Sequence, residues 1–364
     1  VIRLLPISKM LATARYLYEN RRAGQGIYPF YASLKVTDRC QFHCSFCNVW
    51  RRPARDLDTS GMIQVLRNLG RSSIVLTSIE GGEPLLRKDI EALLEEASRQ
   101  PYYVLFTTSA KNLLSYPLDR FSHWIDFLHV SIDEGHDNLE LFALLPDLVK
   151  LPWIVCVQTV VRQGELEALE EKVRICAASG AKILIMPAVE LEGAEHHFPD
   201  PAEFRRQVLR CKQEYPCTVI TPRRYLDALN GESGCSAASI IVDSDGGLFY
   251  PCRTLDQKPV NLTKVSLLDY VQTEDAAQRR QTMKACSRRC GWYQYFAIDF
   301  FTAPSEILES LQPYWGDLLR FGSGRRAKFD QHAALEISRP APASDLSRSH
   351  LSGGSGGRPN LSDL

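Results

Sequence analysis

The chain predicts an α/β fold built on a parallel sheet, and three observations carry that expectation. Six short apolar runs recur between residues 31 and 188, helix-like stretches separate them, and the runs are rich in Val, Ile, Leu and Phe without strict polar alternation. Strands read this way when helices bury both faces of their sheet. Such a series of strand–helix units suits a β/α barrel or an open doubly wound sheet. Either architecture puts function at the C-terminal ends of the strands.

In chain order, the expected strands are "YASLKVT" (31–37), "SIVLTSIEG" (73–81), "YYVLFTTS" (102–109), "FLHVSID" (127–133), "WIVCVQTVV" (153–161) and "KILIMPA" (182–188). Helices are expected at 59–70, with Thr59 as N-cap and Gly70 as stop, at 87–100 from its 3.6-residue period, and at 166–180, ending in glycine. A second region opens near Pro201 with helical stretches at 202–214 and 222–229. It continues into "ASIIVDSDGGLFYPCR" (238–253), a hairpin by its Asp-Ser-Asp-Gly-Gly turn. The first 29 residues form a basic amphipathic segment, and the Ser-, Gly- and Pro-rich stretch 338–364 is expected to be disordered.

Of 364 residues, 45% are apolar, enough for a substantial core, and the 43 basic and 43 acidic side chains cancel. That balance gives no electrostatic reason to make nucleic acid or an anionic membrane the main partner. No apolar run is long enough to span a bilayer, and a cytoplasmic location is expected. Cytosolic thiols stay reduced, so eleven cysteines point to metal ligation more than to disulfides. They are unevenly spread: three at 40–47, four scattered over 156–217 and four at 235–290.

The first three, Cys40, Cys44 and Cys47, lie just beyond the first expected strand in "DRCQFHCSFCNVW". Structural zinc prefers four ligands, and a thioredoxin-like pair would leave Cys40 idle. A 4Fe–4S cluster held by three cysteines, with one iron open to a non-protein ligand, competes with zinc on even terms. The other strand ends add to it. Gly81-Gly82-Glu83-Pro84 follows the second strand, Thr107-Thr108-Ser109 the third and Ser131-Ile132-Asp133 the fourth. Glycines admit a ligand close to the backbone, and a carboxylate beside them can accept from an ammonium group.

The Cys-x3-Cys-x-aromatic-Cys pattern, with Phe46 as the aromatic residue, and the motifs that follow it in order resemble the radical S-adenosylmethionine (radical SAM) enzymes over about residues 30–190. The resemblance implies a partial (β/α)6 TIM-like barrel over 30–200 with a small C-terminal β-hairpin/helix cluster-binding extension over 201–337. It implies a catalytic 4Fe–4S cluster on Cys40, Cys44 and Cys47, whose open iron binds S-adenosylmethionine. By the same resemblance Gly81, Gly82, Glu83 and Pro84 receive the ammonium group. Thr108 takes the methionine end, Ser131 the ribose or carboxylate region, Phe46 the adenine and Arg162 the carboxylate.

Cys235, Cys252, Cys286 and Cys290 make a full ligand set, and "GLFYPC" (247–252) resembles the start of the SPASM or twitch extension of radical SAM maturases. A second, auxiliary 4Fe–4S cluster is implied, with a zinc-stapled hairpin as the plain alternative. An auxiliary cluster favours a net oxidative or rearranging modification of a small molecule or peptide, fed by a flavodoxin- or ferredoxin-type electron donor. Redox-neutral epimerisation or C–C bond formation, and a non-catalytic zinc or Fe–S scaffold, are the alternatives. No residue is assigned as the catalytic acid or base. Cys156, Cys176, Cys211 and Cys217 read as core or surface thiols. His196 and His197 follow the sixth strand and face the substrate end, where proton donation or substrate contact competes with the plainer reading as solvated loop residues, while His129 and His136 flank the fourth strand without metal-ligand spacing.

Overall fold

Each of the six apolar runs forms a strand: β1 (Tyr31–Lys35), β2 (Leu76–Glu80), β3 (Tyr103–Thr108), β4 (Phe127–Ser131), β5 (Ile154–Val161) and β6 (Lys182–Pro187). The computed structural model describes residues 5–53, 55–189, 197–229, 231, 235–287, 290–297, 309 and 312–314. These fall in the compact unit Val1–Leu319; the 338–364 stretch and His196 lie outside the described residues. Strands β1 to β6 pair in parallel in chain order. A seventh, β7 (Ser239–Val242), adds parallel to the free side of β1. Strands β8 (Gly247–Phe249) and β9 (Val260–Asn261) continue antiparallel, giving the order β6-β5-β4-β3-β2-β1-β7-β8-β9. The six-stranded part is an open barrel. The expected hairpin is present as β7–β8, in the same sheet as the barrel strands.

Helices α1 (Ile7–Ala23), α2 (Thr59–Gly70), α3 (Ile90–Ser98), α4 (Leu118–Phe121), α5 (Leu145–Leu148) and α6 (Leu169–Ser179) precede or connect the strands. The extension adds α7 (Pro201–Glu214), α8 (Arg223–Leu229), α9 (Leu267–Tyr270), α10 (Glu274–Lys284) and α11 (Tyr293–Ala297). Two helix ends differ from expectation. The N-cap of α2 is Asp58, whose carboxylate accepts from Gly61 N–H at 2.8 Å, and Gly70 is the last helical residue, with Arg71 as C-cap. A carboxylate one residue earlier competes well for the orphan amides of the first turn. Gly180 does close α6, at φ 83°.

Strand alternation separates two environments. Ala32, Leu34, Ile79, Val104, Phe106, Leu128 and Val130 join Met62, Val65, Leu66, Leu93 and Leu94 in the apolar core under the helices. The opposite, inner face is mixed: Tyr103 packs edge-on to Phe127, Leu105 and Leu184 are buried there, and polar groups stand among them. Glu80 accepts from Ser33 Oγ and, at 3.0 Å, from Ser78 Oγ. Further round, Gln158 meets His129 Nδ1 at 2.7 Å, and burial pulls His129 down to about 3, keeping it neutral.

The extension is tied to the barrel through Asn68 on α2. Its Nδ2 donates to the carbonyls of Leu262 and Val265, each at 2.7 Å, and its Oδ1 accepts from Leu267 N–H at 3.0 Å. All three partners lie almost 200 residues downstream, and Asn68 is buried. Asn68→Ala strands two carbonyls and an amide, and is expected to lower unfolding free energy by roughly 2–4 kcal/mol. Urea denaturation of the two proteins checks this; a midpoint within error of wild type would contradict the assignment.

Candidate active site and cysteine clusters

The loop that follows β1 carries Cys40, Cys44 and Cys47, and three separate anchors shape it. The first is the glycine pair. Gly82 N–H donates to Thr37 O at 2.7 Å and Glu83 N–H to Arg39 O at 2.8 Å, so the loop after β2 lies directly along the cysteine loop. A Cβ on Gly82 would stand 2.2 Å from Arg39 O and 2.9 Å from Cys40 Cβ; one on Gly81 would stand 2.3 Å from Thr37 O. Only glycine permits that approach.

The second anchor is Glu83, which is fully buried. Its carboxylate accepts from Thr108 Oγ1 (2.8 Å), Ser109 N–H (2.9 Å) and Leu85 N–H (3.1 Å), the last capping the 3-10 turn Pro84–Leu86. Burial pushes its pKa up against those three donors, which favour the charged form. Glu83 and Thr108 therefore satisfy one another, joining the β2 and β3 tips under the cysteine loop.

The third anchor is Arg87, also buried, which donates to Val36 O (2.6 Å) and Leu57 O (3.1 Å) at the base of the loop. Asp89 grips its Nε and Nη2 at 2.8 and 2.7 Å and accepts from Thr59 Oγ1 at 2.6 Å.

Farther along the loop, Cys44 and Phe46 form a small apolar cluster with Ala188, flanked by Phe42, Cys47 and Val160 from β5. Phe46 lies against Gly135, where a Cβ would stand 2.2 Å from its ring, and edge-on to His136 at 5.5 Å. His136 Nδ1 is 2.8 Å from Asp133 Oδ1, and Asp133 also accepts from the amides of His136 (2.9 Å) and Val160 (3.1 Å). Burial alone would lower His136, but the bonds to Asp133 and Cys44 outweigh it and hold the ring up at about 10. The Asp-x2-His spacing was a readable signal for this pair. Ser131 ends β4, and its carbonyl accepts from Asn138 Nδ2 at 2.7 Å. Arg162 is engaged locally: Glu165 takes its Nε at 2.7 Å and also its Nη2.

The four downstream cysteines, separated by up to 55 residues in sequence, come together. Cys235, Cys252, Cys286 and Cys290 line one small cavity with Thr254, Leu255, Met283 and Tyr295. Burial, then the proximity of Cys290, Cys252 and Cys286, pushes the Cys235 thiol up to about 12. Burial likewise raises Cys40 to about 11, with Cys47, Glu83 and Cys44 adding to it. Burial and neighbouring thiols thus disfavour the thiolates of Cys40 and Cys235 unless a cationic centre offsets them, which a bound metal group would do. Among the described residues, no three His, Cys, Asp or Glu side chains converge tightly enough to chelate a single metal ion. The remaining thiols differ: Cys156, Cys176 and Cys211 are buried and Cys217 is exposed.

Between the two cysteine sets lies a charged group that the sequence did not single out. Lys35 at the end of β1, Asp38, and Asp243 just past β7 are all buried. Burial depresses Lys35, and its charged neighbours are Asp243, Arg253, Asp38 and Cys47. One oxygen each of Asp38 and Asp243 is buried without a hydrogen-bond partner. Arg253 follows Cys252, and its amide donates to the Tyr295 hydroxyl at 2.7 Å.

Residues 34–198 match the Radical SAM superfamily, and this part of the chain is a radical SAM domain. The family works with a 4Fe–4S cluster and S-adenosylmethionine. Among solved structures, SuiB of Streptococcus suis bound to the precursor peptide SuiA is similar at TM-score 0.61 and 16% identity, covering 84% of this chain and 80% of that one. SuiB bound to S-adenosylmethionine gives 0.59 and 16%, over 80% and 79%. AnSMEcpe with bound AdoMet and the Kp18Cys peptide gives 0.51 and 15%, over 80% of this chain and 99% of that one. At these identities the likeness is one of fold. No helix among the described residues is long and apolar enough to cross a membrane.

The Arg87–Asp89 anchor has a pH signature. The Arg87 guanidinium holds Asp89 down at about 2, below the ~3.9 of an unfolded aspartate. Its contribution is therefore complete above about pH 4 and lost as pH falls toward 2. Asp89→Asn is expected to lower stability at pH 7 and to flatten the loss of stability between pH 4 and 2. Urea unfolding at stepped pH checks this; an unchanged acid limb would contradict it.

Proposed function

We propose that this radical SAM enzyme carries out a net oxidative or rearranging modification, with a catalytic cluster on Cys40, Cys44 and Cys47 and an auxiliary cluster on Cys235, Cys252, Cys286 and Cys290. The observation that carries the second half is the convergence of those four distant cysteines on one cavity. When bound, the catalytic cluster and S-adenosylmethionine supply a 5′-deoxyadenosyl radical able to take a hydrogen atom from carbon.

The chain's own residues do the rest. Gly81 and Gly82 let the cysteine loop lie directly on the loop after β2, and Pro84 starts the turn that Glu83 caps. Phe46, supported by Gly135 and His136, offers the apolar surface for the adenine. The Glu83 carboxylate accepts from Thr108, Ser109 and Leu85, and its Oε2, with one donor, keeps acceptor capacity for the cofactor's ammonium beside the neighbouring backbone carbonyls. Ser131 stands at the adjoining tip, and Arg162 can serve a carboxylate only by giving up Glu165. The substrate's reacting carbon belongs near Lys35, between Cys47 and Arg253, where Asp38 and Asp243 each hold one unspent carboxylate oxygen. Burial there excludes water from a reactive carbon centre.

Cys235, Cys252, Cys286 and Cys290 would hold an auxiliary cluster, which would supply an acceptor for an electron from the substrate. A flavodoxin- or ferredoxin-type protein is the proposed donor to the catalytic cluster. Two of the similar folds were solved with peptides, which makes peptides the first substrate class to try, ahead of small molecules.

Anaerobic reconstitution tests this reading. About eight irons per chain are expected for wild type and about four for each cysteine-set variant. Alanine at Cys40, Cys44 and Cys47 should abolish 5′-deoxyadenosine formation; alanine at Cys235, Cys252, Cys286 and Cys290 should leave some cleavage of S-adenosylmethionine. Zinc in place of iron, or an intact cluster without cleavage, would overturn the proposal.

Gly82→Ala supplies a finer check, because its methyl group would drive Arg39 and Cys40 aside. It is expected to retain about four irons, those of the downstream set, with an unaltered circular dichroism spectrum. Full iron loading in this variant would contradict the role given to the glycine pair.

A further inference from the structure

Helix α1 is amphipathic in the inverted sense. The side it turns toward the barrel is anchored by polar groups beside Tyr16, whose ring packs on Tyr28: the Lys9 ammonium donates to Ser72 O at 2.5 Å, and Asn20 accepts from the amides of Ile27 and Tyr28, each at 2.9 Å, while donating to Tyr28 O. The side it turns to solvent is apolar. Ile7 is 74% exposed, Leu11 67%, Tyr18 65% and Met10 48%, with Ala14 also exposed. Spacings of three and four residues align these five side chains in one stripe along the helix. A surface helix ordinarily points such a stripe inward. Here buried hydrogen bonds fix the helix the other way up, so the outward apolar face is a built feature of the fold.

The charges around the stripe select what could cover it. Exposed Arg21 and Arg22 close its C-terminal end, and Arg15 flanks it. The stripe holds no acidic residue; Glu19, beside it, is paired with Arg15 at 2.7 Å. A second copy docked on this face would bring the same arginines to the contact and no acidic partner for them. An anionic lipid surface supplies an apolar layer and negative charge together, and a tyrosine among aliphatic residues suits the headgroup boundary. The zero net charge of the chain conceals this local cationic patch.

We propose that the outward face of α1 is a membrane-surface contact that lays the helix in the interface of a bilayer containing anionic lipid, without spanning it. This proposal is independent of the chemistry assigned to the cysteine sets.

Co-sedimentation of the full chain with phosphatidylcholine vesicles, with and without roughly 30% phosphatidylglycerol, tests it. Binding is expected only with phosphatidylglycerol, and is expected to weaken as salt is raised. The variant Ile7→Ser/Leu11→Ser/Tyr18→Ser, altered only at exposed positions, should bind at least about 30-fold more weakly. Arg21→Gln/Arg22→Gln should cost roughly 10-fold, with both variants matching wild type in thermal unfolding. Binding that ignores lipid charge, survives the serine substitutions or is absent altogether would overturn the proposal. So would a lipid-free dimer that the serine variant dissociates, since that would make a second copy the occupant.

Discussion

Everything at the strand tips depends on a carboxylate with no access to water. Glu83 is fully buried, and three donors from two different strand ends satisfy it. An uncompensated carboxylate at that depth would cost several kcal/mol, so the loop after β2 and the tip of β3 are held in one geometry. The backbone of Glu83 then bonds Arg39 beside Cys40, and Gly82 leaves no space between the two loops. The cysteine loop inherits its position from a hydrogen-bond network that contains no cysteine.

The same logic divides the molecule into a wall and a frame. Apolar alternation on the outer face of the strands builds the frame against the helices. The inner face sets Ser33, Ser78, Glu80, His129 and Gln158, most of them bonded to one another, among apolar side chains. Extending the sheet through β7, parallel to β1, carries the downstream cysteines to the same side as Lys35 and Asp38. The placing of Asp243 beside Lys35 and Asp38 follows from that one added strand.

Local features were legible in the sequence. The six strands, the cysteine triplet and the glycine pair declare themselves through short-range pattern, and the downstream cysteines through composition. Partnership was less legible. Glu83 read as an acceptor for a ligand's ammonium, but a sequence shows the residue type and hides its donors; folding supplies Thr108 and Ser109. Arg162 read as a carboxylate partner, and its pairing with Glu165, three residues on, was not read. Lys35, Asp38 and Asp243 gave no signal because only the β1–β7 pairing brings them together. The polarity of α1 was visible as amphipathicity, but its inverted direction was not: Lys9 and Asn20 are unremarkable until Ser72, Ile27 and Tyr28 claim them.

The central claim is that two separate cysteine sets each hold an iron–sulfur cluster, one on each side of the Lys35–Asp38–Asp243 group. Anomalous diffraction at the iron edge from anaerobically grown crystals tests it most directly. The account predicts two compact iron peaks, one against Cys40, Cys44 and Cys47 and the other inside the cavity lined by Cys235, Cys252, Cys286 and Cys290. A single peak, or density at the second site that persists at the zinc edge alone, would contradict it.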